Sequence, residues 1–137
     1  MSKHINEQHE TKLKVVAKAE DMLCHTIDIA DNANVFPKRH RLTFTNRIIN
    51  KALEIYTCIC MAEELYPTNR NIYNKRLEYQ SVAMASCRTL NCLIGVAQRK
   101  FNLKIRQAEY WSKMVTDVRN MTVAWTVKDA QRFKNLK

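Results

Sequence analysis

Histidine, cysteine and the carboxylates are the side chains through which this chain could do chemistry at neutral pH, and their spacing argues against a catalytic site. A di-iron bundle needs Glu-x-x-His pairs on facing helices, and no glutamate here is followed three positions later by histidine. Asp21 and His25, four apart, make one acid–imidazole pair, the spacing of an ordinary contact on a helix surface. His4 and His9 lie near the N-terminus and His40 stands in a basic stretch, so no histidine cluster assembles. Cys58-x-Cys60 turns two thiols to different faces of a helix, which suits neither a zinc site nor a redox pair. The five cysteines, Cys24, Cys58, Cys60, Cys87 and Cys92, fall in apolar helical stretches and read as small buried hydrophobes in a reducing compartment. One glycine is too few for a phosphate-cradling loop or a dinucleotide fingerprint. Glu63-Glu64, Asp28 and Asp31 are ordinary helix-surface acids. These residues predict no enzyme, no metal and no cofactor.

Positive charge is what the chain has in excess. Lys and Arg number 23 against 13 Asp and Glu, a formal net charge of +10. Such a balance repels itself in a compact fold and favours an anionic partner, nucleic acid above all, over an idle basic surface. From Pro37 to Leu53 the chain carries Lys38, Arg39, Arg41, Arg47 and Lys51 and no acid. His40 joins this group at lower pH. A further group, Arg99, Lys100, Lys104 and Arg106, surrounds a later connection, and Arg70, Lys75 and Arg76 follow Pro67. Cations at a helix N-terminus oppose the helix dipole, so bases placed there serve something outside the helix. No base-reading or aromatic-stacking motif is recognisable, and binding is expected to be led by charge and shape.

Helices must position these groups. One glycine and two prolines argue against strands and hairpins. Residues 1–10 read as a disordered tail, 11–134 as one bundle domain and 135–137 as a C-terminal tail. A first helix starts at Thr11 and stops at Asp31–Asn34, ahead of Pro37. Thr43 or Thr45 is expected to cap a second helix that runs to Tyr66. A third spans Asn71–Lys100, Phe101–Lys104 is a tight connection, and a fourth carries Trp111, Val115, Val118 and Trp125 before fraying over 128–137. Helices of this length with short loops predict an all-α, antiparallel up-down-up-down four-helix bundle. Its first and third connections would share one pole, bringing the two main cationic groups together. The third helix shows two apolar strips, one through Tyr73, Leu77, Met84, Cys87 and Ile94, the other through Tyr79, Val82, Ala83, Leu90, Leu93 and Ala97. The second strip is expected to face another subunit, with Gly95 allowing close helix packing. No run of about 18 apolar residues predicts a membrane span. Residues 1–10 lack the apolar core of a signal peptide, so a cytoplasmic protein is expected.

The segment Phe36-Pro37-Lys38-x-x-Arg41-x-Thr43 leading into Arg47-Ile48, with the long third helix after it, carries a resemblance. It resembles the accessory variability determinants (Avd) of diversity-generating retroelements and the related rRNA intervening-sequence proteins. Gln107-Ala108-Glu109-Tyr110 is similar to the family's Gln-Tyr-Glu stretch. The run Asp117–Trp125 resembles its closing acidic-Ile-Gly-Arg segment, which ends in tryptophan. Arg119 and Asn120 depart from the family's Gly-Arg, and Val123-Ala124 replaces its glycine-containing sequence. The resemblance covers Phe36 to Trp125. It implies a homopentameric barrel of basic bundles without a catalytic site of its own. It also implies binding to the element's reverse transcriptase and template RNA, in support of mutagenic cDNA synthesis. Pro37, Lys38 and Arg41 match the family motif. Two alternatives stand beside it: an rRNA intervening-sequence-type protein without a polymerase partner, and a structural helical oligomer whose charge keeps it soluble.

Overall fold

Buried residues recur at alternating spacings of three and four along every helix of the computed structural model, which describes residues 3–137, with side chains from residue 14 on. The helices are α1 (Lys3–Ala30), α2 (Asn46–Glu64), α3 (Arg70–Lys100) and α4 (Ile105–Arg132). The first helix begins at Lys3, ahead of the Thr11 start expected from the sequence, so residues 3–10 of the expected tail are helical, and residues 1 and 2 lie outside the described residues. On α1 the seam is Val15, Ala19, Met22, Thr26 and Ile29; on α2 it is Ile48, Ala52, Ile55, Ile59 and Ala62. On α3 it runs Tyr73, Arg76, Gln80, Ala83, Cys87, Leu90, Ile94 and Ala97. On α4 it runs Ala108, Trp111, Val115, Val118, Thr122, Trp125 and Asp129. A seven-residue repeat of this kind keeps one stripe of each helix on its neighbours, as in coiled coils. The four helices pack together, α1 and α3 each against both α2 and α4, with no strand among the described residues. No helix among them is long and apolar enough to cross a membrane.

The α3 seam corrects the two-strip reading. Residues of both strips merge into one buried stripe because Arg76 and Gln80 occupy core positions that a hydrophobic count skips. Leu77, Tyr79, Met84 and Leu93 sit half-buried at its edges, and of the second strip Val82 stays well exposed. Gly95 does not serve close packing: it is exposed, and a Cβ there would meet no atom within 4 Å.

Three of the polar residues admitted to the core, Arg76, Gln80 and Asp129, bond to one another. Arg76 Nε donates to Asp129 Oδ2 at 2.7 Å and its second terminal nitrogen to Asp129 Oδ1 at 2.9 Å. Gln80 Nε2 donates to the same carboxylate at 2.9 Å. The guanidinium also lies over the Trp125 ring, 4.9 Å from its centroid. The Arg70, Lys75, Arg76 group is therefore no cationic cluster, since Arg76 is spent inside the core. Arg70 is engaged as well, donating to Leu136 O at 2.9 Å and Lys134 O at 3.2 Å. Those contacts hold the C-terminal residues expected to fray.

The start of α2 differs from expectation. Pro37 sits at the capping position with extended geometry, and winding begins at once as a 3₁₀ turn, Lys38–His40. A wide π-turn, Arg41–Thr45, then feeds α2. Neither threonine caps the helix: Thr43 Oγ1 donates back to His40 O at 3.4 Å, and Thr45 is buried with its hydroxyl unpartnered. Winding can start early because Pro37 supplies the fixed φ of a helix entry and needs no N–H partner.

Candidate functional site

Aromatic rings fasten the connection between α1 and α2 to the connection between α3 and α4. Val35 and Phe36 are buried, and the Phe36 ring lies edge-on to Trp111 at 6.2 Å. Phe101, just past α3, stands 5.6 Å from Phe36, 5.3 Å from His40 and 5.3 Å from Phe44. Asn102 Nδ2 donates to Asn34 O across the same junction at 3.4 Å. The two cationic segments thus ride on connections that touch.

Lys38, Arg39 and Arg41 project from the 3₁₀ turn and the start of the wide turn, all exposed. Arg47 is exposed a turn further on, its Nε donating to Thr43 O at 3.3 Å. Arg99 and Lys100 are exposed in the last turn of α3, where cations favour the carbonyl-rich end of a helix. Lys104 and Arg106 are exposed at the start of α4, whose chain entry is held by Lys104 N donating to Gln107 Oε1 at 3.1 Å. Lys51 departs from the group. It is half-buried and its Nζ pairs with Glu54 Oε2 at 2.9 Å, so its charge is met on its own helix.

Among the described residues the other eight cations make no ion pair. Sequence explains why: no acid stands between Asp31 and Glu54, nor between Glu78 and Glu109. Neither α2 nor α4 carries an acid in its first turn. Both helices therefore turn their positive dipole ends toward the end that already holds Lys38, Arg39, Arg41, Lys104 and Arg106; α4 adds the backbone N–H groups of its first turn, whereas the Asn46 N–H that opens α2 is already bonded to Arg41 O and Phe44 O of the wide turn. The two sources of positive potential add, which sequence alone did not reveal. An anion with several charges is the species such an end can hold.

His40 stands beside the cluster, its Nε2 accepting from Arg39 Nε at 3.1 Å. Farther along α4, Tyr110 is exposed and lies edge-on to His25 at 5.1 Å. His25 is no simple surface partner for Asp21: burial pushes its pKa below the usual 6.5, against an opposing pull from Asp28. Its Nε2 is buried without a hydrogen-bond partner. Sequence reasoning singled out neither His25 nor Tyr110 as a binding group, and nothing in their local spacing marks them.

The cysteines divide. Cys58 and Cys87 are buried, and burial raises the Cys87 thiol to about 12. Cys24 and Cys92 are exposed, contrary to the expectation that all five are buried, because they fall on the outward side of the seven-residue repeat. No family model, no curated protein and no solved structure matches the chain.

Proposed function

We propose that the chain is a non-catalytic, basic accessory subunit of the Avd type, which holds template RNA and a reverse transcriptase while the polymerase performs mutagenic cDNA synthesis. One observation carries the reading: eight cations with no ion pair among the described residues lie on or beside two connections that touch, at an end where two helix N-termini add to their field. Arg39, Arg41 and Arg106 offer two-pronged contacts to phosphates and Lys38 and Lys104 point charge. The alternating up-and-down course of the helices, the cytoplasmic location and assembly into a homopentameric barrel belong to the same proposal. Leu53 and Met61 on α2, with Val82 and Val96 on α3, are exposed apolar residues available for self-association.

Coexpression with the reverse transcriptase of a diversity-generating retroelement, followed by copurification through successive salt washes with and without ribonuclease, tests the reading. Retention of polymerase and RNA together supports it. A protein that retains neither overturns it. Light scattering of the purified chain tests the assembly, and a monomer overturns that part.

A further inference from the structure

A groove of about 330 Å³ opens between α1 and the start of α4, lined by His25, Ile29, Arg106, Gln107 and Tyr110. Its walls are mainly apolar: Ile29 is nearly buried, and the Tyr110 ring forms one side with 60 % of the residue exposed. Arg106 and Tyr110 stand four apart on α4, so they share one helix face. The unpartnered His25 Nε2 belongs to a ring that lines the same groove. Arg106 is also one of the cations of the basic end, so the groove opens directly off that surface.

We propose that this groove takes one unpaired nucleobase of a bound RNA strand, its face on Tyr110 and its phosphate against Arg106; this rests on the reading of the basic end as an RNA-binding surface. Two features select a base over an apolar protein side chain. An exposed aromatic ring offers a stacking platform for any base. The guanidinium one turn away matches the phosphate geometry that comes with each nucleotide. Acids at this place lie to one side: Asp21, Asp28 and Asp117 line the adjoining groove, where Lys18 and Lys113 accompany them. Lys18 and Lys113 both pair with Asp117, at 3.8 and 3.0 Å.

The test measures the full chain against a fluorescent single-stranded RNA and a blunt RNA duplex of equal length at fixed salt, using Tyr110→Ala, Tyr110→Phe and Arg106→Gln. Tyr110→Ala is expected to weaken single-strand binding roughly tenfold or more while leaving duplex binding unchanged. Tyr110→Phe keeps the ring and should bind like the parent. Arg106→Gln should lower the salt slope of single-strand binding by about one. Equal melting temperatures check that the exposed ring is not structural. Tyr110→Ala with unchanged single-strand binding overturns the base site. A uniform loss of single-strand and duplex binding in Tyr110→Ala also overturns it. If the parent holds duplex but shows no gain for single strands, only the base site fails; if it holds neither, the RNA reading fails with it.

Discussion

Arg76 and Asp129 meet in the core of the bundle as a two-pronged ion pair, the Arg76 Nε to Asp129 Oδ2 distance being 2.7 Å. Both side chains are almost fully buried, Gln80 supplies a further hydrogen bond, and Leu65 O accepts weakly from the guanidinium at 3.4 Å. Removing one partner strands the other charge away from water. Asp129→Ala is expected to cost about 3–5 kcal/mol, read as a lower urea midpoint. The double change Arg76→Met with Asp129→Leu should recover most of that loss, because well-packed apolar residues replace a buried pair at little net cost. A double variant as unstable as the single one would show that the pair is needed for more than its own neutralisation.

Gly95 gives a prediction of the opposite sign. It lies inside α3 with open space around its missing Cβ. Gly95→Ala should raise stability by about 0.5–1 kcal/mol by narrowing the unfolded ensemble and restoring helix propensity. Thermal melting checks it, and a decrease would point to an unseen contact at that face.

Thiol labelling should follow the exposure of the cysteines. Iodoacetamide near pH 8 is expected to modify Cys24 and Cys92 in the native protein and to leave Cys58 and Cys87 untouched until denaturant is added. Peptide mass mapping reads the pattern. Burial holds Cys87 in its neutral, unreactive form throughout this range, since its pKa is raised to about 12.

Lys38→Ala, Arg39→Ala and Arg41→Ala combined should lower the salt slope of RNA binding by about two to three and reduce affinity at physiological salt. Helix content should not fall, because all three side chains are exposed and their charges oppose the dipole of the helix they open. Circular dichroism and binding titrations over a salt series are the measurements.

Stability should also respond to His25. Burial depresses its folded pKa, so as pH falls through 6.5 the unfolded chain takes up a proton that the native imidazole resists. The contribution is intact above pH 6.5, declines below it, and levels off once the folded ring itself titrates. Urea midpoints between pH 7.5 and 5.5 should therefore fall less steeply in His25→Gln than in the parent.

Much of this architecture was legible in the chain. Pro37 and Pro67 mark real connections, and the third helix expected over Asn71–Lys100 is found as Arg70–Lys100. Phe36 and Pro37 hold the basic connection as their types suggest: one is buried and the other fixes the helix entry. Reading hydrophobicity along α3 failed at Arg76 and Gln80, because polar residues occupy seam positions and their partner Asp129 lies on another helix. Thr45 failed for a related reason. A threonine before a helix usually caps it, but here the preceding residues are already wound and the side chain is swallowed by the core. At the basic end, charge was readable and geometry was not. The pairing of Lys51 with Glu54 lay in plain view at a helical spacing, whereas the summed field of two helix ends and the exposure of Tyr110 required the packed bundle.

The two tryptophans stand in different settings: Trp111 among Phe36 and His25 close to the basic connections, Trp125 beneath the Arg76 guanidinium. Nature has thus built a pair of optical gauges into the chain. With Trp125 replaced by phenylalanine, the remaining indole reports how the aromatic end loosens when a polyanion docks; with Trp111 replaced, it reports the ionic end. Emission recorded from each variant in turn tells whether the molecule yields as one body or opens from a single extremity.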